Sequence, residues 1–425
     1  MTKKKPLEWI RLDNAAKIFP PNSNEKDTKV FRFVCELKDE IDKDILQSAL
    51  DQTMIIFPFY HSVLRKGVFW YYFESSDLLP TVTEENKLPC SMLYHRNRKN
   101  LLFDVTYYKK RINFEVFHAL SDGTGALWFL KTLIYFYIIS RYQSDFKDNL
   151  PKLDYNASIS KKMDDSFLKH YTGNKISNKV ELRRAYHILG RRTIDHRLKI
   201  VEGVMSVKEV LALARSYQTT ITVYLASLYI HSIFMEMAER GRKYPVVLSV
   251  PVNLRNYFPS DTARNFFGTI MVSYQFGQNK DSLEDIIKEV NDCFKRELTP
   301  EKLKVHMNQL AALELNAFTR VVPLSLKDVI LRFATSLSDK GITAAISNVG
   351  KITMAEELSP YIHLFDVFTS TKRPQICMCS YEDQLVISFA SPYIGADIQT
   401  NFFRALTEKG IHVTVDSNSS EGYSE

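Results

Sequence analysis

The feature that most constrains the fold is a break in hydrophobic periodicity between about residues 145 and 200, where Lys, Asp, Asn and Ser prevail. On both sides of this break, short apolar runs typical of strands alternate with longer stretches of helical periodicity. A chain of 425 residues is also too long for one ordinary hydrophobic core. We therefore predict two α/β subdomains, 1–145 and 201–425, joined by a crossover linker over 146–200. They are expected to face each other across a central channel, where ligand sites tend to lie.

The N-terminal half has a clear order of elements. They are predicted as a strand at 30–37, a helix at 43–56, apolar strand-like runs at 68–74, 101–108 and 111–117, and a helix from about Thr124 to Tyr142. In the last of these runs, Ile112, Phe114 and Val116 alternate with Asn113 and Glu115, which is the two-residue period of a strand.

The C-terminal half resumes with a helix that the capping box Ser206-x-x-Glu209 opens. The remaining elements are predicted as a helix from about Thr222 to Arg240, a strand at Val246–Val252, helices at 283–297, 301–317 and 324–336, strands at 341–348, 363–370, 374–380 and 384–390, and a last helix at 396–409.

One turn carries residues suited to chemistry. The run His118-Ala119-Leu120-Ser121-Asp122-Gly123 joins the alternating strand to the apolar helix. A histidine there can take a proton from a hydroxyl, thiol or amine at neutral pH. Asp122 can serve as the helix N-cap or turn inward to an arginine. Gly123 allows a sharp turn or a close approach of substrate to the backbone.

Composition excludes several other classes. No pair of histidines on one element has metal-ligand spacing, and the lone pair Cys377-Met-Cys379 is a weak metal signal. The five cysteines are expected to be ordinary buried thiols, so we predict no metal site and a reducing compartment. The net charge of +7 comes without a nucleic-acid-binding signature, so no nucleic-acid partner is expected. The longest apolar run, Ala126 to Ile139, holds about fourteen residues, short of the roughly 20 that a membrane span needs. No apolar segment of signal-peptide length follows the basic start, and we predict a cytoplasmic protein without a transmembrane segment.

The HxxxDG run resembles the catalytic motif of the chloramphenicol-acetyltransferase-like superfamily. Further segments resemble that superfamily in the same order. They are the helix start at 219–233, the strand at 248–255 ending in Arg255, Asn265-Phe266-Phe267-Gly268, and Ser347-Asn348-Val349-Gly350. Together the resemblance spans about 118–350, and it implies two α+β two-layer sandwiches.

The resemblance also implies roles. His118 is expected to be the general base, Asp122 and Gly123 to support the motif, and Arg255 to pair with Asp122. For Ser347 and Asn348 two roles stay open: supporting the oxyanion of the tetrahedral intermediate, or shaping the crossover strand. No cofactor is expected to be bound permanently. Acyl-CoA is the expected co-substrate, with a small hydroxylated acceptor as its partner.

Two differences from the usual motifs of the superfamily narrow the choice among its member families. Condensation domains and wax-ester synthases usually carry a second histidine before the motif one, and here that residue is Phe117. The carboxy-terminal Asp-Phe-Gly-Trp-Gly segment of plant BAHD enzymes is also missing. The run from Leu12 to Phe19 best resembles bacterial alcohol-acetyltransferase-like proteins, so we expect transfer of an acyl group, acetyl in the first place, to an alcohol. Two alternatives stay open: a carrier-protein-dependent condensation enzyme, and a non-catalytic binding or scaffold protein of the same fold.

Overall fold

A computed structural model describes residues 9–147, 150–153, 163–173, 184–277, 279–315 and 321–418. Within these residues the strands are β1 (Trp9–Arg11), β2 (Val30–Leu37), β3 (Ser62–Lys66), β4 (Tyr71–Ser75), β5 (Thr83–Glu84), β6 (Phe103–Tyr108), β7 (Arg111–Phe117), β8 (Lys199–Ser206), β9 (Val246–Asn253), β10 (Phe267–Tyr274), β11 (Ala344–Ile352), β12 (Ile362–Thr369), β13 (Gln375–Tyr381), β14 (Gln384–Ser391) and β15 (Thr414–Ser417). The helices are α1 (Phe19–Asn22), α2 (Lys43–Ile56), α3 (Gly123–Arg141), α4 (Ser166–Lys169), α5 (Val207–Ser216), α6 (Ile221–Met235), α7 (Leu283–Glu297), α8 (Pro300–Leu315), α9 (Leu324–Asp339) and α10 (Asp397–Glu408).

Two mixed sheets form the two subdomains. The N-terminal sheet has the order β12-β2-β7-β6-β5, and the C-terminal sheet has the order β10-β9-β11-β13-β14-β8-β15. A small third sheet, β1-β4-β3, lies with the N-terminal half. Two separate groups of buried apolar residues fill the two halves, one packed around α2 and α3 and the other around α6 and α7. The predicted α/β fold with two subdomains is confirmed.

One strand crosses from the C-terminal half into the N-terminal sheet. β12 pairs antiparallel with β2, placing Phe365 opposite Cys35. The sheets are therefore not divided as the chain is: the predicted segment 201–425 supplies one edge of the N-terminal sheet. β12 covers an edge of β2 that would otherwise expose unpaired backbone groups. Residues 154–162 and 174–183 of the predicted linker lie outside the described part of the chain.

Helix boundaries follow local capping signals. Asp42 precedes α2, and its Oδ1 accepts hydrogen bonds from the backbone of Asp44 and Ile45. Ser206 Oγ accepts from the Glu209 amide at 3.3 Å, so the predicted cap of α5 is present. These contacts satisfy amide groups of the first helical turn, which have no partner within the helix.

Strand β7, which leads to the HxxxDG turn, is buried on both faces. Ile112, Phe114 and Val116 are completely buried, as their alternation predicted. The polar residues between them are buried as well. Glu115 pairs with Arg32 on β2, with Nη2 and Oε1 2.8 Å apart, and also accepts from the Cys90 amide at 2.5 Å. The paired charges and hydrogen bonds make burial of this polar face possible, and the strand is a rigid support for the turn after it.

Helix α3, directly after the motif, is long and apolar enough to cross a bilayer by length and composition alone, and it is the one such helix in the described residues. Half of its most apolar window is buried inside the protein. Phe129, Leu130 and Leu133 are completely inaccessible and belong to the N-terminal core. These contacts make α3 the buried core helix that the sequence predicted.

A buried carboxyl group lies between the two sheets. Asp366 on β12 is completely buried and accepts a hydrogen bond from Ser388 Oγ on β14 at 2.5 Å. Burial, together with the neighbouring carboxylate of Glu202, raises the pKa of Asp366 to about 8. Asp366 therefore keeps its proton in the folded protein at neutral pH.

This shift predicts that the free energy of unfolding falls as pH rises from about 4 to about 8. Between the ordinary pKa of aspartate and the raised one, the folded state holds a proton that the unfolded state has released. The free energy of unfolding should therefore fall as pH rises toward 8, by up to about 1 kcal/mol per pH unit. Asp366→Asn should flatten this dependence, measured as urea unfolding midpoints at pH 6 and pH 9. The exposed Asp77→Asn is the control. Equal pH dependence in wild type and Asp366→Asn would contradict the prediction.

Candidate active site

His118 is the first residue after β7 and lies where the two subdomains meet. Its amide donates to the Lys29 carbonyl at 2.8 Å, which holds the chain beside the start of β2. The Leu120 amide then donates to the Phe117 carbonyl at 2.8 Å, which closes a tight turn. The backbone at the motif is thus fixed from both sides, and the half-buried imidazole has a defined position.

Aromatic rings surround the imidazole of His118. Phe19 on α1 stacks on it, with ring centroids 4.3 Å apart and an angle of 16° between the planes. Phe31 contacts it edge-on at 5.0 Å, and Phe267 at the start of β10 lies 5.3 Å away. Burial among these rings disfavours the charged imidazolium and so lowers the pKa of His118. It is the largest of the influences on this pKa. The ring is therefore neutral at pH 7, as a general base must be.

The position of Asn265 indicates which ring nitrogen of His118 carries the proton. Its Oδ1 lies 3.1 Å from His118 Nδ1. Its Nδ2 lies 3.3 Å from the Ala119 carbonyl oxygen and 3.5 Å from Asp13 Oδ2. A carbonyl oxygen and an ionised carboxylate can only accept hydrogen bonds, so the atom facing them is the donating Nδ2. This orientation leaves Oδ1 to accept, so Nδ1 of His118 must donate. Nε2 then has a free lone pair, the requirement for taking a proton from a substrate.

Asp122 lies at the N-terminus of α3 and has both of the roles that the sequence left open. Its Oδ1 accepts from the Gly125 amide at 3.0 Å as the N-cap of the helix. Its Oδ2 accepts from Arg255 Nη1 at 2.8 Å and from the Phe266 amide at 2.7 Å. Both side chains of the ion pair are at least nine-tenths buried. Through these bonds Asp122 joins the motif to the second half of the chain.

Arg255 has no hydrogen-bond donor left for a substrate. Nη2 donates to the carbonyls of Thr262 and Arg264 at 2.8 and 2.7 Å, and Nε donates to Thr262 at 3.2 Å. The predicted contact with Asp122 is present as a single hydrogen bond through Nη1, because the other Asp122 oxygen caps α3. The guanidinium thus holds the loop that carries Asn265 and supports His118 only indirectly.

Gly125, and not Gly123, is the glycine that packing requires. A Cβ on Gly125 would lie 2.0 Å from the Ala263 carbonyl oxygen and 2.5 Å from Ser121 Oγ. A Cβ on Gly123 would meet nothing within 4 Å, and Gly123 does not adopt a left-handed conformation. A sharp turn therefore does not require a glycine at position 123. The open space beside Gly123 agrees with the other predicted role, close approach of a substrate to the backbone.

The two glycines form a matched pair of substitutions. Gly125→Ala should lower the free energy of unfolding by about 3 kcal/mol or more, because backbone would have to move. Gly123→Ala should change it by no more than about 0.5 kcal/mol. Urea unfolding of both variants measures this, and similar midpoints would contradict the assigned packing.

Ser347 and Asn348 lie on β11 in different environments. Asn348 is exposed, donates from Nδ2 to Thr222 Oγ1 at 2.8 Å and accepts from the Gly350 amide at 2.8 Å. These bonds tie β11 to the start of α6 and stabilise the bulge after Asn348, where the β11–β13 register shifts. Ser347 is half-buried. The contacts of Asn348 favour its structural role, and the oxyanion role of Ser347 stays a prediction.

Three further residues shape the site and had no role assigned from sequence: Asp13, Phe19 and Asn265. Asp13 is buried, accepts from the Ala16 amide at 2.8 Å and lies 3.6 Å from Arg264 Nε. Burial raises the pKa of Asp13 to about 6, although Arg264 opposes the shift. All three belong to segments that carried the family resemblance, so the resemblance was the one signal that could have found them.

Asn265→Ala tests the tautomer assignment. Removing the acceptor at Nδ1 should reduce turnover at least about tenfold. It should also lower the pKa of His118 further, because the bond to Asn265 now raises it. The acid limb of the pH–rate profile should therefore move to lower pH, with Asn279→Asp at an exposed asparagine as control. A reduced rate with an unmoved acid limb would indicate a merely structural role.

Groups that bind cofactors are sparse. Among the described residues, no three His, Cys, Asp or Glu side chains are placed to hold a metal ion. A cavity of about 330 Å³ lies beside α3 and is lined by Trp128, Lys131 and Lys152 among others. Trp128 also packs 5.5 Å from the Arg255 guanidinium. Two ammonium groups therefore line this cavity.

No protein-family model matches the sequence, and none of the curated proteins is significantly similar to it. Solved structures are similar over nearly the whole chain. The trichothecene 15-O-acetyltransferase TRI3 from Fusarium sporotrichioides shares 11% identity, with 94% of each chain covered and a TM-score of 0.62. The F. sporotrichioides TRI101 protein, in complex with coenzyme A and T-2, shares 9% identity over 96% of this chain and 99% of its own, with a TM-score of 0.64. The first condensation domain of the CDA synthetase shares 13% identity, with 95% of each chain covered and a TM-score of 0.59. At such identities the likeness establishes the fold, and this chain has the two-subdomain fold that acyltransferases and condensation domains share.

Proposed function

We propose that this protein is an acyltransferase that moves an acyl group, acetyl in the first place, from a CoA thioester to a hydroxyl acceptor. The observation that carries the proposal is the neutral imidazole of His118, whose Nδ1 donates to Asn265 and whose Nε2 is left as a base. Structural neighbours that are acetyltransferases or are bound to coenzyme A support the choice of reaction and donor. The bacterial alcohol-acetyltransferase resemblance supports an alcohol as acceptor.

The proposed chemistry is direct transfer in a ternary complex. Nε2 of His118 takes the hydroxyl proton as the acceptor oxygen attacks the thioester carbonyl carbon. The tetrahedral intermediate then collapses, the carbon–sulfur bond breaks, and the thiolate takes the proton back from the imidazolium. Products are the ester and free CoA, and His118 returns to its neutral form.

The rival donor is a carrier-bound thioester, which the likeness to a condensation domain favours. Phe117 stands where such enzymes usually have a second histidine, and it is completely buried and stacked on Tyr94 at 5.2 Å. Phe117 belongs to the hydrophobic core and cannot transfer a proton as a second histidine could. This supports CoA, and not a carrier protein, as the carrier of the donated acyl group.

The proposal is tested by thiol release from a panel of acyl-CoA donors, each with and without alcohols and amines. Release that depends on an added alcohol supports the proposed reaction. Release with amines alone would change the acceptor class. Turnover only with carrier-bound donors would replace CoA by a carrier, and binding of acyl-CoA without release with any acceptor would contradict an enzymatic role.

A further inference from the structure

Helix α9 presents its apolar residues outward. Leu326, Val329, Ile330 and Phe333 are 52%, 58%, 55% and 66% exposed. At about 100° per residue they fall within an arc roughly 100° wide, a single face of the helix. The opposite face packs on the protein through both apolar and polar groups: Leu324 is buried in the N-terminal core, buried Asp328 accepts from Tyr71 Oη at 2.8 Å, and Thr335 accepts from Asn22. The four outward apolar residues are therefore additional to those that the helix needs for packing on the protein.

The exposed apolar surface continues onto the turn between β3 and β4. The Leu324 amide donates to the Val68 carbonyl, and Lys327 Nζ donates to the Phe69 carbonyl, each at 2.8 Å, which joins the turn to the start of α9. Val68, Phe69 and Trp70 are 72%, 38% and 40% exposed. We call these three residues, with the four on the helix, the α9 face. Contiguous exposed apolar surface of this kind marks an interaction site.

Cationic groups border the α9 face. Lys327 and Arg332 fall on opposite sides of the apolar arc, each about 60° beyond its edge. Lys66 lies 3.4 Å from Asp328, and the Arg11 guanidinium lies over the Trp70 ring at 5.2 Å. Lys66 is paired with the buried Asp328, and Glu74 of the adjoining groove is paired with Arg65 at 2.7 Å, so Lys327, Arg332 and Arg11 are the cationic groups that the border presents.

Tryptophan adds a second indication. The chain has 3 Trp, and two of them, Trp9 and Trp70, line one groove at this end of the protein. Trp9 is 59% exposed. Exposed tryptophan beside apolar residues that lysine and arginine flank is the composition of surfaces that lie in the headgroup region of a bilayer. A second copy of this chain is disfavoured, because a self-complementary contact would bring the two cationic borders together.

We infer that the α9 face binds the surface of an anionic lipid bilayer, with Ile330, Phe333 and Trp70 entering the acyl boundary and the basic side chains meeting headgroup phosphates. This inference does not depend on the proposed acyl transfer. It predicts peripheral binding that salt weakens, since the basic border contributes through screened attraction.

The test uses the full chain with vesicles of phosphatidylcholine, alone or mixed with phosphatidylglycerol. Flotation measures binding, and tryptophan emission should shift to shorter wavelength as Trp9 and Trp70 leave water. The double variant Ile330→Glu with Phe333→Glu changes exposed side chains only. Its affinity for mixed vesicles should be lower than that of wild type by about a hundredfold or more. The control is Ile55→Glu with Leu79→Glu, which alters side chains that are 76% and 81% exposed elsewhere, and it should bind like wild type.

Several results would overturn the inference. Wild type that binds neither kind of vesicle, or that binds phosphatidylcholine alone equally well, would exclude an anionic lipid surface. Unchanged binding by the α9 double variant would place the lipid contact elsewhere. A wild-type dimer that this variant converts to monomer, without lipid binding, would make the α9 face a contact between two copies of the chain.

Discussion

Replacing His118 with alanine should reduce acyl transfer about a hundredfold to ten-thousandfold, the contribution usual for a general base. The variant lacks the imidazole nitrogen that would take the proton of the acceptor hydroxyl. Folding should survive, because the imidazole is half-buried and the turn is held by backbone bonds from Lys29 and Phe117. Thiol release at saturating donor and acceptor measures the loss, and unfolding midpoints of the same samples show that the fold is intact.

The matched control is His95→Ala, which removes an exposed histidine outside the motif. It should leave the rate unchanged. Equal rates for wild type and His118→Ala would remove the proposed mechanism, whatever the effect on binding.

The pH dependence of the wild-type rate follows from the same residue. A base works only when unprotonated, so activity falls as pH drops through its pKa. Since burial lowers the pKa of His118, the acid limb should be centred below the ordinary value of histidine, so more than half of the plateau activity should remain at pH 6.5. An acid limb centred at or above the ordinary value would contradict the assigned environment.

Arg255→Ala should cost about 3 kcal/mol or more of the free energy of unfolding. The substitution leaves the Asp122 carboxylate buried without its counter-charge, and uncompensated buried charge is strongly destabilising. It also removes the donors to the Thr262 and Arg264 carbonyls, which hold the loop that positions Asn265. Urea unfolding measures the change, and Arg404→Ala, at an exposed arginine, is the control.

A double-mutant cycle separates the ion pair from the loop contacts. Asp122→Asn removes the charge that Arg255→Ala leaves unpaired. The double variant should therefore lose less free energy of unfolding than the sum of the losses in the two single variants. Simple additivity of the two losses would show that the pair contributes no coupling. An unfolding midpoint of Arg255→Ala equal to that of wild type would exclude the arginine as a structural clamp.

Local patterns predicted the regular elements well. The helices at 43–56 and 283–297 have the predicted bounds, and the four last predicted strands lie within a few residues of β11 to β14. The short strands β1, β3, β5 and β15 and the longer strands β8 and β10 were not predicted. β10 carries Gly268, Thr269 and Ser273, and its burial alternates only in its second half, so its sequence lacks the strong period that identifies a strand. It forms because β9 offers a full-length antiparallel partner.

The sequence alone determined what depends on neighbours along the chain: the strand, turn and helix of the HxxxDG run, the position of His118 at the end of a buried strand, and the caps at Asp42 and Ser206. These features follow from side-chain period and from hydrogen bonds over three or four residues. Only the tertiary structure decided the surroundings of the imidazole, since Asn265 reaches it from 147 residues away and Arg255 reaches Asp122 from 133 residues away. It likewise decided that β12 joins the N-terminal sheet and that Gly125 is the crowded glycine. Contacts between residues so far apart in sequence depend on which strands pair and how the sheets pack. Local periodicity predicts single strands and helices and does not predict these pairings.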